Sequence, residues 1–254
     1  MSFTLVAFAE QRADSTAGYI NAATDETHRT SGDDLYIGKW NLLVAGYSNG
    51  YSPQTSKLVS PSLRAMAEVY ISPQYIPGAP QAFDRMVDHR FHCPIPLVTG
   101  EALNFYQEVN GYNASRVELL GVWLADAPIV PVVGEIYTVQ INSYEATDFV
   151  KGVWKNHELT ITPDLPMGRY AIVGAQMYGA DYGLFRFVFR GVAERPGAVV
   201  FQDERLAIDE IFREGRIGVW GEFDSSLQPS MDVLFVSTNS STQLWGYMDI
   251  MKVG

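Results

Sequence analysis

An all-β fold, an antiparallel jelly-roll sandwich with one or two short helices, is predicted by three features of this sequence. Short stretches in which apolar and polar residues alternate recur along its 254 residues, and this alternation is typical of half-buried strands. Aromatic residues, which suit a pleated surface, are frequent, with 14 Tyr, 13 Phe and 5 Trp. Strands do not alternate with long helical segments, so a parallel α/β sheet is not expected.

In the first half of the chain, strands are expected over residues 3–9, 35–47, 58–59, 63–72, 117–124 and 136–141. The dipeptide Asn49-Gly50 predicts a turn, and residues 100–109 fit either a short helix or a strand. Residues 10–34 are rich in Thr, Ser, Asp, Asn and Gly and hold little apolar content. We interpret this segment as a long polar arm or loop, of the kind that reaches neighbouring subunits in assemblies.

In the second half, strands are expected over residues 160–162, 169–175, 184–190, 199–201, 217–223, 231–237 and 244–253. Within 184–190, three phenylalanines alternate with Arg186, Val188 and Arg190, so one face belongs to the core and the other lies in water or at an interface. Residues 204–214 form the best helix prediction, with Gly215 after its last turn.

Two β-sandwich domains are predicted, with a soft boundary near residues 142–149. Residues 1–142 would form an N-terminal sandwich with its polar arm, and residues 143–254 a C-terminal sandwich. A short echo supports internal similarity: residues 96–101 precede the strand at Val117 much as residues 166–169 precede the strand at Leu184. Duplication or shared turn chemistry would explain this echo.

Charge and cysteine content narrow the function classes. The net charge is −11 and no basic run is present, so direct nucleic-acid binding is not expected. The single Cys93 cannot form an internal disulfide. No stretch approaches 18 consecutive apolar residues, and residues 1–10 are expected to form a first strand rather than a signal peptide.

Candidate chemistry is sparse. His89 and His92, next to Cys93, form the one cluster that resembles a metal or nucleophile site. Residues three apart on a strand point to opposite faces, and no CxxC or HExxH motif accompanies them, so we interpret the cluster as a polar loop.

Carboxylates that a glycosidase could pair are also present. They are Glu101, Glu118, Glu222, Asp224, Asp232 and Asp249. Among 29 acidic residues some pair will always be close, so the sequence predicts no catalytic, cofactor-binding or metal-binding residue, and no enzyme.

Aromatic residues suggest surface contacts instead. Ten tyrosines are expected largely in loops, where a partner could cover them; these are Tyr19, Tyr36, Tyr47, Tyr51, Tyr70, Tyr75, Tyr112, Tyr144, Tyr178 and Tyr182. The alternative is a carbohydrate-binding or adhesive β-sandwich in which Trp220, Trp245 or these tyrosines stack on sugars.

Three segments resemble structural proteins of prokaryotic viruses in the double jelly-roll capsid group. They are residues 58–64 (LVSPSLR), residues 165–174 (LPMGRYAIVG), and the tail from 218–223 (GVWGEF) through 248–253 (MDIMKV). The resemblance implies two jelly rolls side by side, a homotrimer, and an icosahedral shell over a possible internal membrane. It carries over no catalytic residue.

The resulting hypothesis is a self-assembling capsid subunit of a bacteriophage-like virion. Its partners would be copies of itself and other virion proteins. It would assemble in the host cytoplasm and reside in the virion.

Overall fold

The structure, a computed structural model, describes residues 2–12, 17–28, 30–50, 53–64, 69–71, 73–75, 87–109, 111, 113–144, 149–179, 181–202, 210–238 and 243–254. Strands dominate. In these ranges the helical elements are α1 (Pro61–Arg64) and a 3-10 helix (Glu210–Phe212). The predicted all-β class is confirmed.

Two six-stranded sheets form the first half. The first sheet holds β1 (Phe3–Glu10), β5 (Leu42–Gly50), β8 (Pro73–Tyr75), β9 (Asp88–His89), β10 (Ile95–Pro96) and β12 (Glu118–Ala125). The second holds β2 (Gly18–Ile20), β3 (Thr30–Ser31), β4 (Asp34–Tyr36), β6 (Pro53–Val59), β7 (Val69–Tyr70) and β11 (Ala102–Val109).

One nine-stranded sheet forms the second half. Its strands are β13 (Tyr137–Tyr144), β14 (Lys155–His157), β15 (Thr160–Thr162), β16 (Arg169–Tyr178), β17 (Gly183–Val188), β18 (Gly197–Phe201), β19 (Gly221–Asp224), β20 (Ser230–Phe235) and β21 (Gln243–Lys252).

Both halves repeat one strand order, which is that of a jelly roll. In the first half, β1-β12-β5-β10 faces β4-β11-β6-β7; in the second, β13-β21-β16-β19 faces β14-β20-β17-β18. A two-residue parallel pairing between β16 and β18 joins the latter two layers into the nine-stranded sheet. Equivalent strands of the two halves are separated by about half of the 254 residues.

The sheet containing β1, β5 and β12 is buried on both faces. All eight residues of β12 are buried. Leu5 and Trp123 belong to the larger apolar core, which includes the second jelly roll, whereas Val6 and Val122 belong to the smaller core inside the first jelly roll. Because side chains alternate along a strand, one sheet serves both cores, and we call it the shared sheet.

Hydrogen bonds to backbone carbonyl oxygens also connect the shared sheet to the second jelly roll. The Trp123 indole Nε1 donates to the carbonyl oxygen of Gly197 at 2.7 Å, and the Leu5 amide donates to that of Arg195 at 2.8 Å. The predicted boundary between residues 142 and 143 falls within β13, whose eight residues all pair with β21. The division into two domains at that point stays a prediction.

Several predicted elements differ from the observed ones near prolines and glycines. The expected strand 35–47 is two strands, because Gly38 adopts φ +59° and the chain there passes from the second sheet to the first. Residues 63–64 belong to α1 rather than to an extended segment. Pro61 suits a first helical turn, and the Ser60 hydroxyl oxygen accepts a hydrogen bond from the Leu63 amide at 3.2 Å.

Other segments resolve or limit the predictions. Residues 102–109 form a strand, which settles the ambiguity of 100–109. Residues 217–220 precede β19 and are not a strand. Of the helix predicted over 204–214, residues 204–209 lie outside the described residues, and the described remainder begins with the 3-10 helix.

The arm predicted over residues 10–34 folds back onto its own chain wherever it is described. Ile20 lies in β2, which pairs with β11, and Ile20 and Ala23 are buried. The low apolar content of this segment predicted an arm that does not pack on its own chain. The segment nevertheless packs, and it also buries the Glu26 carboxylate against partners in the second jelly roll.

Candidate functional site

A buried ion cluster joins the two jelly rolls. The Arg186 guanidinium on β17 donates from Nη1 to Glu26 Oε1 at 2.7 Å and from Nε to Asp232 Oδ2 at 3.0 Å. The Arg186 side chain is 0% exposed and that of Glu26 is 1% exposed. Trp154 covers the guanidinium, with its ring centroid 4.0 Å from Cζ. The sequence left this face of β17 either in water or at an interface; at Arg186 it is buried against Glu26 of the same chain.

Glu26 is held by partners from both halves. Its Oε2 accepts hydrogen bonds from the Ala7 amide at 3.1 Å and from the Trp154 indole at 3.0 Å. Burial alone would raise the pKa of Glu26, but the charge of Arg186 and the adjacent His28 outweigh burial and lower this pKa from 4.5 to about 2. The carboxylate therefore stays charged at neutral pH and acts as a fixed clamp rather than a proton carrier.

The Asp249 carboxylate on the outer face of β21 binds Arg213 and Glu214, which belong to the connection between β18 and β19. Asp249 accepts two hydrogen bonds from Arg213, at 2.6 Å from Nε and 2.7 Å from Nη2, and a third from the Glu214 amide at 2.9 Å. Burial raises the pKa of Asp249, but the bonds from Arg213 and Glu214 outweigh that effect and lower it. Glu214 adopts φ +60° at this anchor.

The histidine cluster lies at the junction of the halves. His89 and His92 both line a cavity of about 370 Å³, together with Ile211 and Arg216 from the second jelly roll. The interpretation as a loop agrees with the turn at Phe91 and His92, and the two imidazoles line one cavity instead of lying on opposite faces of a strand. Cys93 is exposed. Within the described ranges no three His, Cys, Asp or Glu side chains are grouped as a metal site.

The six carboxylates considered for glycoside hydrolysis are spread over both jelly rolls. Asp232 and Asp249 bind arginines, as described above, and Glu222 pairs with Arg169 at the surface, at 2.6 Å. Asp224 accepts a bond from the Ser226 hydroxyl at 2.6 Å. Glu118 is buried. Glu101 accepts a bond from the Val98 amide at 2.9 Å. Five of the six carboxylates thus accept a hydrogen bond or form an ion pair with a neighbouring group.

An aromatic and amide-rich sheet face lies on the outer side of the second jelly roll, where the Arg213 Nη1 donates to the Gln176 side-chain oxygen at 3.1 Å and the guanidinium lies over the Tyr247 ring. On the outer side of β15, β13, β21 and β16, residues align across the four strands. Two adjacent rows run Thr162, Gln140, Tyr247, Gln176 and Thr160, Asn142, Trp245, Tyr178. Trp245 is half-buried against Tyr178, at 4.6 Å between ring centroids, and Tyr144 beside this pair is 69% exposed. Amide, hydroxyl and aromatic groups thus form one face, which we call the aromatic face.

The positions expected for several aromatic residues differ from those in the structure. Trp220 is buried against Phe3 and Phe187, so it cannot stack on a sugar. The tyrosine prediction is wrong for the described residues, since seven of them lie in strands: Tyr19, Tyr36, Tyr47, Tyr70, Tyr75, Tyr144 and Tyr178. Tyr182 is buried outside a strand, and Tyr51 and Tyr112 lie outside the described residues.

Comparisons with known proteins identify no family for this chain. No family model matches the chain, and no curated protein matches it. Among solved structures, a Paenibacillus xanthan lyase aligns with 100% of this chain and 25% of its own, at 11% identity and a TM-score of 0.26. The chain spans about a quarter of that structure, and so weak a likeness bears on neither fold nor activity.

No helix in the described ranges is long and apolar enough to cross a bilayer.

Proposed function

We propose that this protein is a structural subunit of a viral capsid that assembles with copies of itself, as a trimer, into a shell. The observation that carries the proposal is the presence of two jelly rolls of identical strand order in one chain, packed through a shared sheet. Jelly rolls are a common architecture of capsid proteins and also of lectins. The strand order alone therefore leaves both functions to be tested.

The firm packing of the two halves supports a role as a shell subunit. Such a subunit must keep its shape when neighbouring copies bind it, and the ion cluster around Arg186 and the shared sheet, buried on both faces, hold its halves together. The net charge of −11 suits a protein that does not bind the genome directly. Such a subunit resides in the virion after assembly in the host cytoplasm, contacts other virion proteins and, in a virion that has one, an internal membrane, and needs no catalytic residue.

Light scattering coupled to size exclusion tests this proposal. We expect the purified chain to show a mass above that of the 28.2 kDa protomer, rising with concentration, and electron microscopy to show closed or sheet-like arrays. A protomer that stays monomeric at high concentration, with or without other virion proteins, would contradict the proposal.

Carbohydrate binding is the second candidate, and the aromatic face favours it. Aromatic rings flanked by amides and hydroxyls suit the apolar faces and hydroxyl groups of sugars. If this candidate holds, Trp245→Ala and Tyr144→Ala should each abolish a glycan-array signal. Tyr70→Ala, which alters a tyrosine 55% exposed on the first jelly roll, should leave the signal intact. A signal that survives the first two substitutions excludes the aromatic face as the sugar site.

A further inference from the structure

We propose that the end of the second jelly roll formed by residues 163–168 is a contact between two copies of this chain. The inference rests on the proposed function, because it names the surface through which copies meet. Three features carry it: an open apolar cavity, an exposed apolar side chain beside that cavity, and two opposite charges at its rim.

The cavity, of about 400 Å³, opens at the end of the second jelly roll. Tyr137, Tyr170, Ile250 and Leu165 contribute to its largely apolar wall. Tyr170 and Ile250 also belong to the core, so the cavity is an unfilled extension of the jelly-roll interior. An apolar opening of this size in contact with water is a favourable place to bury an apolar group.

Met167 is the exposed apolar side chain. It follows Pro166 of the cavity wall directly and is 90% exposed. Leu227, 50% exposed, belongs to the adjacent turn, which is fastened to the Met167 loop by a hydrogen bond from the Ser225 amide to the Gly168 carbonyl oxygen at 2.9 Å. Exposed apolar groups that cluster in this way mark interaction surfaces.

The backbone holds this loop in place before any partner binds. The Tyr170 hydroxyl donates to the carbonyl oxygen of Pro166 at 2.9 Å, and the Arg169 amide donates to that of Gly254 at 2.9 Å. A loop already ordered in the free protomer loses little conformational entropy when it binds.

The occupant is a second copy because the surface complements itself. A projecting side chain and an apolar cavity on one loop allow two protomers from neighbouring trimers, related by a two-fold axis, to insert Met167 into each other's cavity. Asp164 and Lys252 at the rim can face the opposite charge on the partner. The neighbouring Arg169–Glu222 pair is also balanced, so copies of a chain of net charge −11 can meet here with little repulsion.

Charge exchange tests the contact. Asp164→Lys and Lys252→Asp should each lower the mass of the assembly measured by light scattering, because each places like charges across both halves of the contact. Mixing the two variants in equal amounts should restore the mass, since each 164–252 contact between unlike copies again joins opposite charges. If thermal melting shows that each variant is folded and the mixture still does not restore the mass, the two charges pair within one chain and the proposal is overturned.

Apolar contact is tested with a matched pair of substitutions. Met167→Glu should lower the mass of the assembly, whereas Val98→Glu, at a position 62% exposed on the first jelly roll, should not. If the wild type assembles and Met167→Glu assembles equally well, this contact is refuted while the capsid proposal stands. If the wild type never assembles, the capsid proposal itself fails and this contact fails with it.

Discussion

Replacing Arg186 by methionine is expected to lower the free energy of unfolding by about 3–5 kcal/mol, the usual cost of removing one partner from a buried ion pair. The substitution leaves the carboxylates of Glu26 and Asp232 without the guanidinium that neutralises them, although the Glu26 side chain is only 1% exposed and that of Asp232 12%. It also removes the contact with the Trp154 ring. Equilibrium denaturation by urea, followed by tryptophan fluorescence, measures the loss.

Arg169→Met is the matched control. Arg169 pairs with Glu222 at 2.6 Å, but both side chains are largely exposed, and exposed pairs contribute about 0–1 kcal/mol. Equal losses in the two variants would mean that burial of Arg186 does not set its contribution, contrary to the clamp described here.

Acid is expected to destabilise the protein through Glu26. The pKa of Glu26 is lowered from 4.5 in the unfolded chain to about 2 in the folded one, so its contribution to stability is present in full above pH about 4.5 and is lost as the pH falls toward about 2. The unfolded chain binds the proton first, which pulls the equilibrium toward unfolding. Thermal melting between neutral pH and about pH 2 should show a falling melting temperature across this window.

Replacing the Glu26 carboxylate by a neutral amide distinguishes its contribution to acid sensitivity from that of the other carboxylates. Glu26→Gln should be less stable than the wild type at neutral pH, and its melting temperature should depend less steeply on pH below about 4.5. Glu222→Gln, at the exposed pair with Arg169, should keep the wild-type slope. An unchanged slope in Glu26→Gln would assign the acid sensitivity to other groups.

Alternation of apolar and polar residues predicted most strands because the period of a strand is two. The strand expected over 117–124 is apolar at almost every position, and all eight residues of β12 are buried. The echo between residues 96–101 and 166–169 misled, since Val117 immediately precedes β12 and Leu184 lies in β17, which occupy different places in the jelly roll. The true structural counterpart of β12 is β21, about half a chain away.

The ion cluster could not be predicted from the sequence. Glu26 and Arg186 are separated by 160 residues, and neither belongs to a motif. Glu26 lies in a polar segment that looks solvated, and Arg186 was known only to oppose a row of phenylalanines. Long-range pairing of charges depends on how the jelly rolls pack, which local patterns do not encode.

During synthesis, the strands of the shared sheet are made before the second jelly roll that covers one of its faces. As the ribosome releases the chain from its N-terminus, β12 completes the first jelly roll before β17 and β18 exist. Until those strands arrive, Leu5 and Trp123 face water on a nascent fragment. Chaperones that hold apolar strand surfaces have a target there, and polypeptides truncated in the connection after β12 are the products most prone to aggregate.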